Sequence, residues 1–157
     1  MARNKRIRFL SECTIGYDQV LDIGTDHGLV LLEAFKKGYI KSAIASDLRE
    51  EPLNSAKRNL KGYPVEFVVS DGFEQVKSDF DLAIIAGMGA YLIKDILKGA
   101  PKDKTYILQA NDNHDILRAY LADHGFEIID EHIIFDKFYY IIMIVKQGSM
   151  TLLEKDL

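Results

Sequence analysis

Residues 20 to 28 of the chain read Val20-Leu21-Asp22-Ile23-Gly24-Thr25-Asp26-His27-Gly28. The run Gln19–Ile23 reads as a buried strand, and the glycines and carboxylates after it read as a tight turn into a helix that begins at Leu29. Strand, glycine turn and helix in this order open a Rossmann-type nucleotide site, so the stretch points to an α/β sheet with parallel strands. One position departs from the dinucleotide pattern. Where a second glycine would let backbone approach a pyrophosphate, this chain carries Asp26. A carboxylate there repels phosphate oxygens and tolerates a cation.

Working outward, strands are predicted over 43–46, 65–70, 82–86 and 105–108. Helices are predicted over 29–38 and from Pro52 onward, and helical segments, or loops leading into them, over about 73–78, 90–98 and 113–124, each after a strand. The chain then changes habit. Two β-rich runs, 127–135 and 138–145, are separated only by Asp136 and Lys137 and read as a hairpin. Alternating strands and helices require right-handed crossovers and a parallel sheet. Five such units and a hairpin are the element order of the seven-stranded methyltransferase sheet that uses S-adenosyl-L-methionine (SAM). The fold class expected is therefore α/β, Rossmann-like and mostly parallel, with a C-terminal antiparallel hairpin. SAM is a nucleoside with a sulfonium and no phosphate, which suits a loop bearing Asp26. One domain is expected over 1–147, opened by a basic helical segment over 1–18 and followed by a tail over 148–157.

The 157 residues are 48% hydrophobic and 28% charged, ordinary values for a globular domain. No apolar run is long enough to cross a membrane, the first residues lack the apolar segment of a secretory signal, and Cys13 is the single cysteine. A cytoplasmic enzyme or binding domain without membrane, metal or disulfide is expected. Net charge is −4, yet Arg3, Lys5, Arg6 and Arg8 place four positive charges in the first eight residues. That stretch can meet phosphates, with Arg6 and Arg8 as candidate substrate contacts, although a solvated helix explains the same residues equally well.

In open α/β sheets, ligands bind outside the carboxyl ends of the strands. The first end offers Asp22, Ile23, Gly24, Asp26 and His27; Gly24 permits close backbone approach, and Asp22 can face a sulfonium. The second offers Asp47, which has two acceptor oxygens for two ribose hydroxyls, and its neighbour Leu48. The third offers Asp71 and Gly72, suited to an adenine amino group. A single acidic strand end is often a helix cap, but three in succession behind a glycine turn favour a cofactor site. The fourth carries Gly87 and Met88, where backbone can close on the reacting groups, although a helix-start turn with a core methionine explains that stretch too. It lacks the Asn/Asp-Pro-Pro-aromatic signature of enzymes that methylate exocyclic amines. The fifth leads into Gln109 and Asn111, candidate readers of a base edge or parts of a helix cap. Of the four histidines, only His27 falls at a candidate site.

The segments Asp22-Ile23-Gly24-Thr25-Asp26-His27, Ile44-Ala45-Ser46-Asp47, Asp71-Gly72, Ile85-Ala86-Gly87-Met88-Gly89 and Ile107-Leu108-Gln109-Ala110-Asn111 together resemble the TrmK family. These are the bacterial tRNA (adenine-22 N1)-methyltransferases. The similarity runs from about Lys5 through Val145 and includes Asp123-His124-Gly125-Phe126 and Lys137-Phe138-Tyr139. It implies a SAM-dependent enzyme acting on the D-arm region of tRNA. The family usually reads Asp-His-Ala-Tyr-Leu-Pro where this chain has Asp26-His27-Gly28-Leu29-Val30-Leu31, a third glycine where it has Ala90, and often glutamate where it has Tyr140. Family members also continue into a C-terminal helical coiled-coil domain implicated in tRNA binding, whereas the sequence here ends at Leu157.

Adenine N1 carries its own lone pair, so no base is needed before it attacks the methyl carbon. The product ring becomes cationic, and a carboxylate accepting from the N6 amino group would stabilise it. Asp26 is the candidate for that catalytic role, with His27 and Asn111 as orienting partners. Two other readings fit the same residues: a methyltransferase acting on a small molecule or a protein, and a non-catalytic SAM-binding module. A dinucleotide oxidoreductase ranks behind both, because Asp26 breaks the glycine fingerprint.

Overall fold

The strand β1 (Gln19–Ile23) lies at the middle of a seven-stranded sheet in a computed structural model that describes residues 4–152. Arg3 and the end of the expected tail, 153–157, lie outside the described residues. On one side of β1 come β2 (Ser42–Asp47) and then β3 (Val65–Val69); on the other come β4 (Leu82–Met88) and β5 (Thr105–Ala110), all parallel. The last strands are β6 (Phe126–Asp136) and β7 (Phe138–Gln147), giving the order β3-β2-β1-β4-β5-β7-β6. Strand β7 runs antiparallel between β5 and β6. The expected fold class is the observed one.

The central strands are apolar without alternation because helices cover both faces of the sheet. Val20, Leu82, Ile84 and Ile107 are buried under α1 (Lys5–Glu12), α2 (Leu29–Lys36) and α3 (Glu50–Asn59), where Leu10, Leu31 and Leu53 meet them. Leu21, Ile85, Tyr106 and Leu108 are buried on the other face against Ile93 of α4 (Ala90–Leu97) and Leu117 and Leu121 of α5 (His114–Asp123). None of these helices is long and apolar enough to cross a membrane among the described residues.

Three expectations need correction. Among the described residues of the first segment, only α1 is helical, with Asn4 as N-cap accepting from the Ile7 N–H; turns follow before β1. α3 begins at Glu50, two residues before Pro52. No helix forms over 73–78, where the backbone makes turns instead. There the Ser70 hydroxyl donates to the Gly72 carbonyl and accepts from the Gln75 N–H, while the Gln75 side chain accepts from the Asp71 N–H. Side chains that bond nearby backbone in this way compete with helical hydrogen bonding.

Strand order reverses between β2 and β4 on either side of β1, which leaves a crevice above their carboxyl ends. The hairpin lies beyond β5, and none of its residues lines that crevice. Tyr106 pairs with Val145 and Leu108 with Met143, so continuing that register sets Ile141 level with Ala110. Residues 138–140 and the turn therefore rise past the end of β5. Lys137 makes the turn with φ of 65°, and Asp136 accepts from the Lys5 N–H at 2.8 Å, tying the hairpin to α1.

Candidate functional site

The loop after β1 is built around backbone that only certain residues adopt. Gly24 has φ of 70°, and the N–H groups of Gly24 and Thr25 both donate to the Ser46 carbonyl at 2.9 Å, binding the loop to β2. Asp26 takes φ of 55°, a left-handed conformation that Asp tolerates better than most residues. Its N–H donates to Asp47 Oδ2 at 3.1 Å, and the Arg49 N–H reaches Asp47 Oδ1 at 3.4 Å. Two backbone donors thus fix the Asp47 carboxylate and leave lone pairs for a ligand. His27 Nδ1 lies 2.7 Å from the Ser55 hydroxyl, and its Nε2 lies 3.8 Å from Asp26 Oδ2. Gly28, with φ of 73°, starts α2 where a Cβ would meet Leu60 at 2.8 Å, so glycine fits this position.

Asp22 is buried and accepts from the Thr25 hydroxyl at 3.0 Å. Burial pushes its carboxyl up to about 7; Asp47 and Asp26 add to the rise, while the Thr25 bond and the Arg6 guanidinium oppose it. Gly24 faces Met88 so closely that a Cβ on it would sit 2.5 Å from the Met88 terminal methyl.

The end of β4 is irregular. Register shifts between Ala86 and Met88, and Gly87 at the bulge has φ of 77°. The Gly87 N–H donates to Gln109 Oε1 at 3.1 Å, the Arg6 guanidinium donates to the same oxygen at 3.1 Å, and the Asn111 N–H donates to the Met88 carbonyl at 2.7 Å. The Arg6 guanidinium also lies over the Tyr140 ring, 5.5 Å from its centroid. Tyr140, where glutamate is common in the resembled family, meets the cation with an aromatic face. Asp112 accepts from the Ala90 N–H at 3.0 Å and caps α4 from the neighbouring loop.

These elements enclose a cavity of about 570 Å³, within the range of about 300–1,000 Å³ usual for small-molecule sites. Asp22, Ile23, Gly24, Asp26, His27, Asp47, Leu48, Asp71, Gly72, Gly87 and Met88 all line it. Arg6 lines it too, as part of the wall supplied by α1. Three other candidates fall elsewhere. Arg8 is exposed on α1 outside the lining, and Asn111 is exposed on the loop after β5. Gln109 is 0% exposed, so it lies beneath the site and does not read a base edge. Residues not anticipated include Asn4, the N-cap of α1, with Ile7 and Leu10 of that helix, and Leu92 and Ile96 of α4. The spacing of Ile7 and Leu10 marks an amphipathic face, but nothing local says which cavity that face meets.

Four carboxylates line the cavity against the guanidiniums of Arg6 and Arg49. Among the described residues, no group of three or more His, Cys, Asp or Glu is placed to hold a metal. An organic cation with a nucleoside body suits the lining: Asp47 stands ready for vicinal hydroxyls, and the backbone at Gly24 is open to close approach.

The methyltransferase-domain family matches residues 3–143. A Streptococcus pneumoniae protein solved in complex with S-adenosyl-L-methionine superposes with a TM-score of 0.88 at 31% identity, covering 98% of this chain and 77% of that one. TrmK of M. capricolum, solved with S-adenosyl-homocysteine, gives a TM-score of 0.88 at 26% identity over 98% of this chain and 74% of its own. The chain belongs to the TrmK family of methyltransferase domains. A curated relative, the tRNA (adenine(22)-N(1))-methyltransferase of Bacillus subtilis (strain 168), is 33% identical over 141 residues, which are 83% of this chain and 59% of that protein. This TrmK-family chain thus spans less than two thirds of the length of that relative.

Proposed function

We propose that this TrmK-family domain binds S-adenosyl-L-methionine in the carboxylate-lined cavity and directs its methyl group to N1 of adenine 22 in tRNA. The observation that carries the reading is the cavity itself: four strand-end carboxylates and an open glycine at the switch point of the sheet. When bound, SAM supplies a methyl group made electrophilic by the sulfonium. Asp47 accepts the ribose hydroxyls, and Asp71 is placed for the adenine amino group. Asp22 faces the sulfonium side and favours the cation once it loses its proton. Asp26 accepts from the N6 amino group of the target base, with His27 beside it. Because N1 needs no deprotonation, alignment of the reacting atoms supplies most of the rate. The tRNA substrate is supported by the activity of the Bacillus subtilis relative and by the basic face of α1, where Lys5 and Arg8 are exposed beside Arg6. A tRNA substrate would be met in the cytoplasm, which is the compartment this reading proposes.

The reading is tested by methyl transfer from labelled SAM to an unmodified tRNA transcript and to one carrying guanine at position 22. Label is expected in the first and not in the second. Equal labelling of both, or of neither while SAM binds, would overturn it.

The buried Asp22 carboxyl adds a pH signature. With its pKa raised to about 7, Asp22 is protonated below that value and must release the proton before it can face a sulfonium. SAM affinity is therefore expected to rise as pH increases from 5.5 towards 7 and to level off above. S-adenosyl-homocysteine, which has a neutral sulfur, should show a shallower rise. Titration calorimetry across pH 5.5–8.5 measures both, and Asp22→Asn should flatten the SAM curve. Parallel curves for the two ligands would remove Asp22 from this role.

A further inference from the structure

We propose that Gln109 is a positioning residue for methyl transfer, setting the β4 bulge and the Arg6 guanidinium against the cofactor loop as one unit. The inference rests on the methyltransferase reading above. Gln109 is fully buried in a strand whose other residues are mainly apolar. A buried amide is tolerated only when its hydrogen bonds are met, and here all four positions are used. Oε1 accepts from the Gly87 N–H and from Arg6, each at 3.1 Å; Nε2 donates to the Ala110 carbonyl and to Asn111 Oδ1, each at 3.1 Å.

These partners lie on α1, on the β4 bulge, and at the end of β5 with the loop that follows it. Arg6 and Gly87 line the cavity, whereas Ala110 and Asn111 lie outside its lining. Gly87 fixes the path into Met88, whose terminal methyl packs on Gly24 of the cofactor loop. The Asn111 N–H holds the Met88 carbonyl from the other side. Arg6, pinned by Oε1 and by the Tyr140 ring, supplies positive charge to the same wall. Removing the amide frees the bulge and the guanidinium together. The cofactor pocket on the Asp47 side stays as it is. Gln109 touches neither cofactor nor substrate, so its effect passes through Gly87, Met88 and Arg6.

The test uses Gln109→Met, Gln109→Glu and Arg6→Met, singly and with Arg6→Met combined with Gln109→Met. Gln109→Met is expected to leave the SAM Kd within threefold and to lower kcat on tRNA at least tenfold. Gln109→Glu keeps the acceptor oxygen for Gly87 and Arg6 but loses both donors to the Ala110 carbonyl and Asn111 Oδ1, so it should recover only part of that loss. Arg6→Met should cost much less in the Gln109→Met background than alone, because the two act as a unit. A merely structural role would lower Tm while leaving kcat of the folded protein intact. Wild-type kcat in Gln109→Met, losses that track SAM affinity, or independent effects of the two substitutions would each overturn the proposal. If Gln109→Met does not fold, Arg6→Met decides by exchange of the Gly87 N–H, which a lost substrate contact would not move: faster exchange at unchanged SAM Kd supports the unit, and wild-type exchange overturns it. If the unaltered protein transfers no methyl group to tRNA, the functional reading fails separately. Hydrogen exchange then decides the present point: a Gly87 N–H equally protected in wild type and Gln109→Glu, yet fast in Arg6→Met and Gln109→Met, supports it, and equal protection in all four overturns it.

Discussion

A Gly24→Ala variant is expected to bind S-adenosyl-L-methionine about 10- to 100-fold more weakly than wild type while remaining folded. Two effects act at this position, and they separate cleanly. Gly24 has φ of 70°, and a Cβ in the left-handed region costs roughly 1–2 kcal/mol. That strain is present with and without ligand, so it lowers Tm and leaves affinity alone. The second effect is steric. The new Cβ would lie 2.5 Å from the Met88 terminal methyl; Met88 lines the cavity, so its flexible side chain is expected to yield toward that open space. Overpacking of this kind typically costs about 1–3 kcal/mol, and each 1.4 kcal/mol is tenfold in Kd. Gly38→Ala supplies the control, because Gly38 has φ of 73° and a Cβ added there would meet nothing within 4 Å. It should lose a comparable amount of stability and no SAM affinity. Calorimetric titration of both variants makes the comparison. SAM binding by Gly24→Ala within threefold of wild type would show that the loop after β1 does not approach the cofactor.

Asp26→Asn should lower kcat on tRNA about 10- to 100-fold and leave the SAM Kd within threefold. Asparagine has the same shape as aspartate and also tolerates the left-handed backbone seen at φ of 55°. The Asp26 N–H that supports Asp47 is therefore kept. What changes is the charge. As N1 takes the methyl group, the adenine ring becomes cationic and its N6 amino group a stronger donor. A carboxylate acceptor is then worth more in the transition state than in the bound substrate, which is the condition for acceleration. Hydrogen bonds to charged groups contribute roughly 1.5–3 kcal/mol, which gives the stated range. Single-turnover transfer at saturating SAM reads the effect free of product release. A variant turning over at the wild-type rate would assign the stabilisation of the cationic ring to another group.

The parts of this molecule that were legible in its sequence are those governed by local pattern. Gln19–Ile23 is a strand with the bounds read from its apolar run, because a strand covered on both faces has no reason to alternate. The carboxylates at successive strand ends converge on one cavity, since parallel strands bring their carboxyl ends to one edge of the sheet. Where non-local contacts decide, local pattern fell short. β4 and β5 each extend two residues past the expected 82–86 and 105–108, because the bulged Gly87 and the buried Gln109 look like turn chemistry yet lie in paired strands. Gln109 resembled a base reader for the same reason; its burial depends on Arg6, 103 residues earlier in the chain. The helix expected over 73–78 lost to the side-chain hydrogen bonds of Ser70 and Gln75, which a periodic pattern does not register.

The most direct measurement is nucleoside analysis of tRNA after incubation with this chain and SAM. On the proposed reading, the site accepts from an N6 amino group and directs the methyl group to a ring nitrogen that already holds a lone pair. The expected product is 1-methyladenosine, formed only in transcripts with adenine at position 22. Formation of N6-methyladenosine, or of 1-methyladenosine at a rate unchanged by replacing adenine 22, would contradict the account.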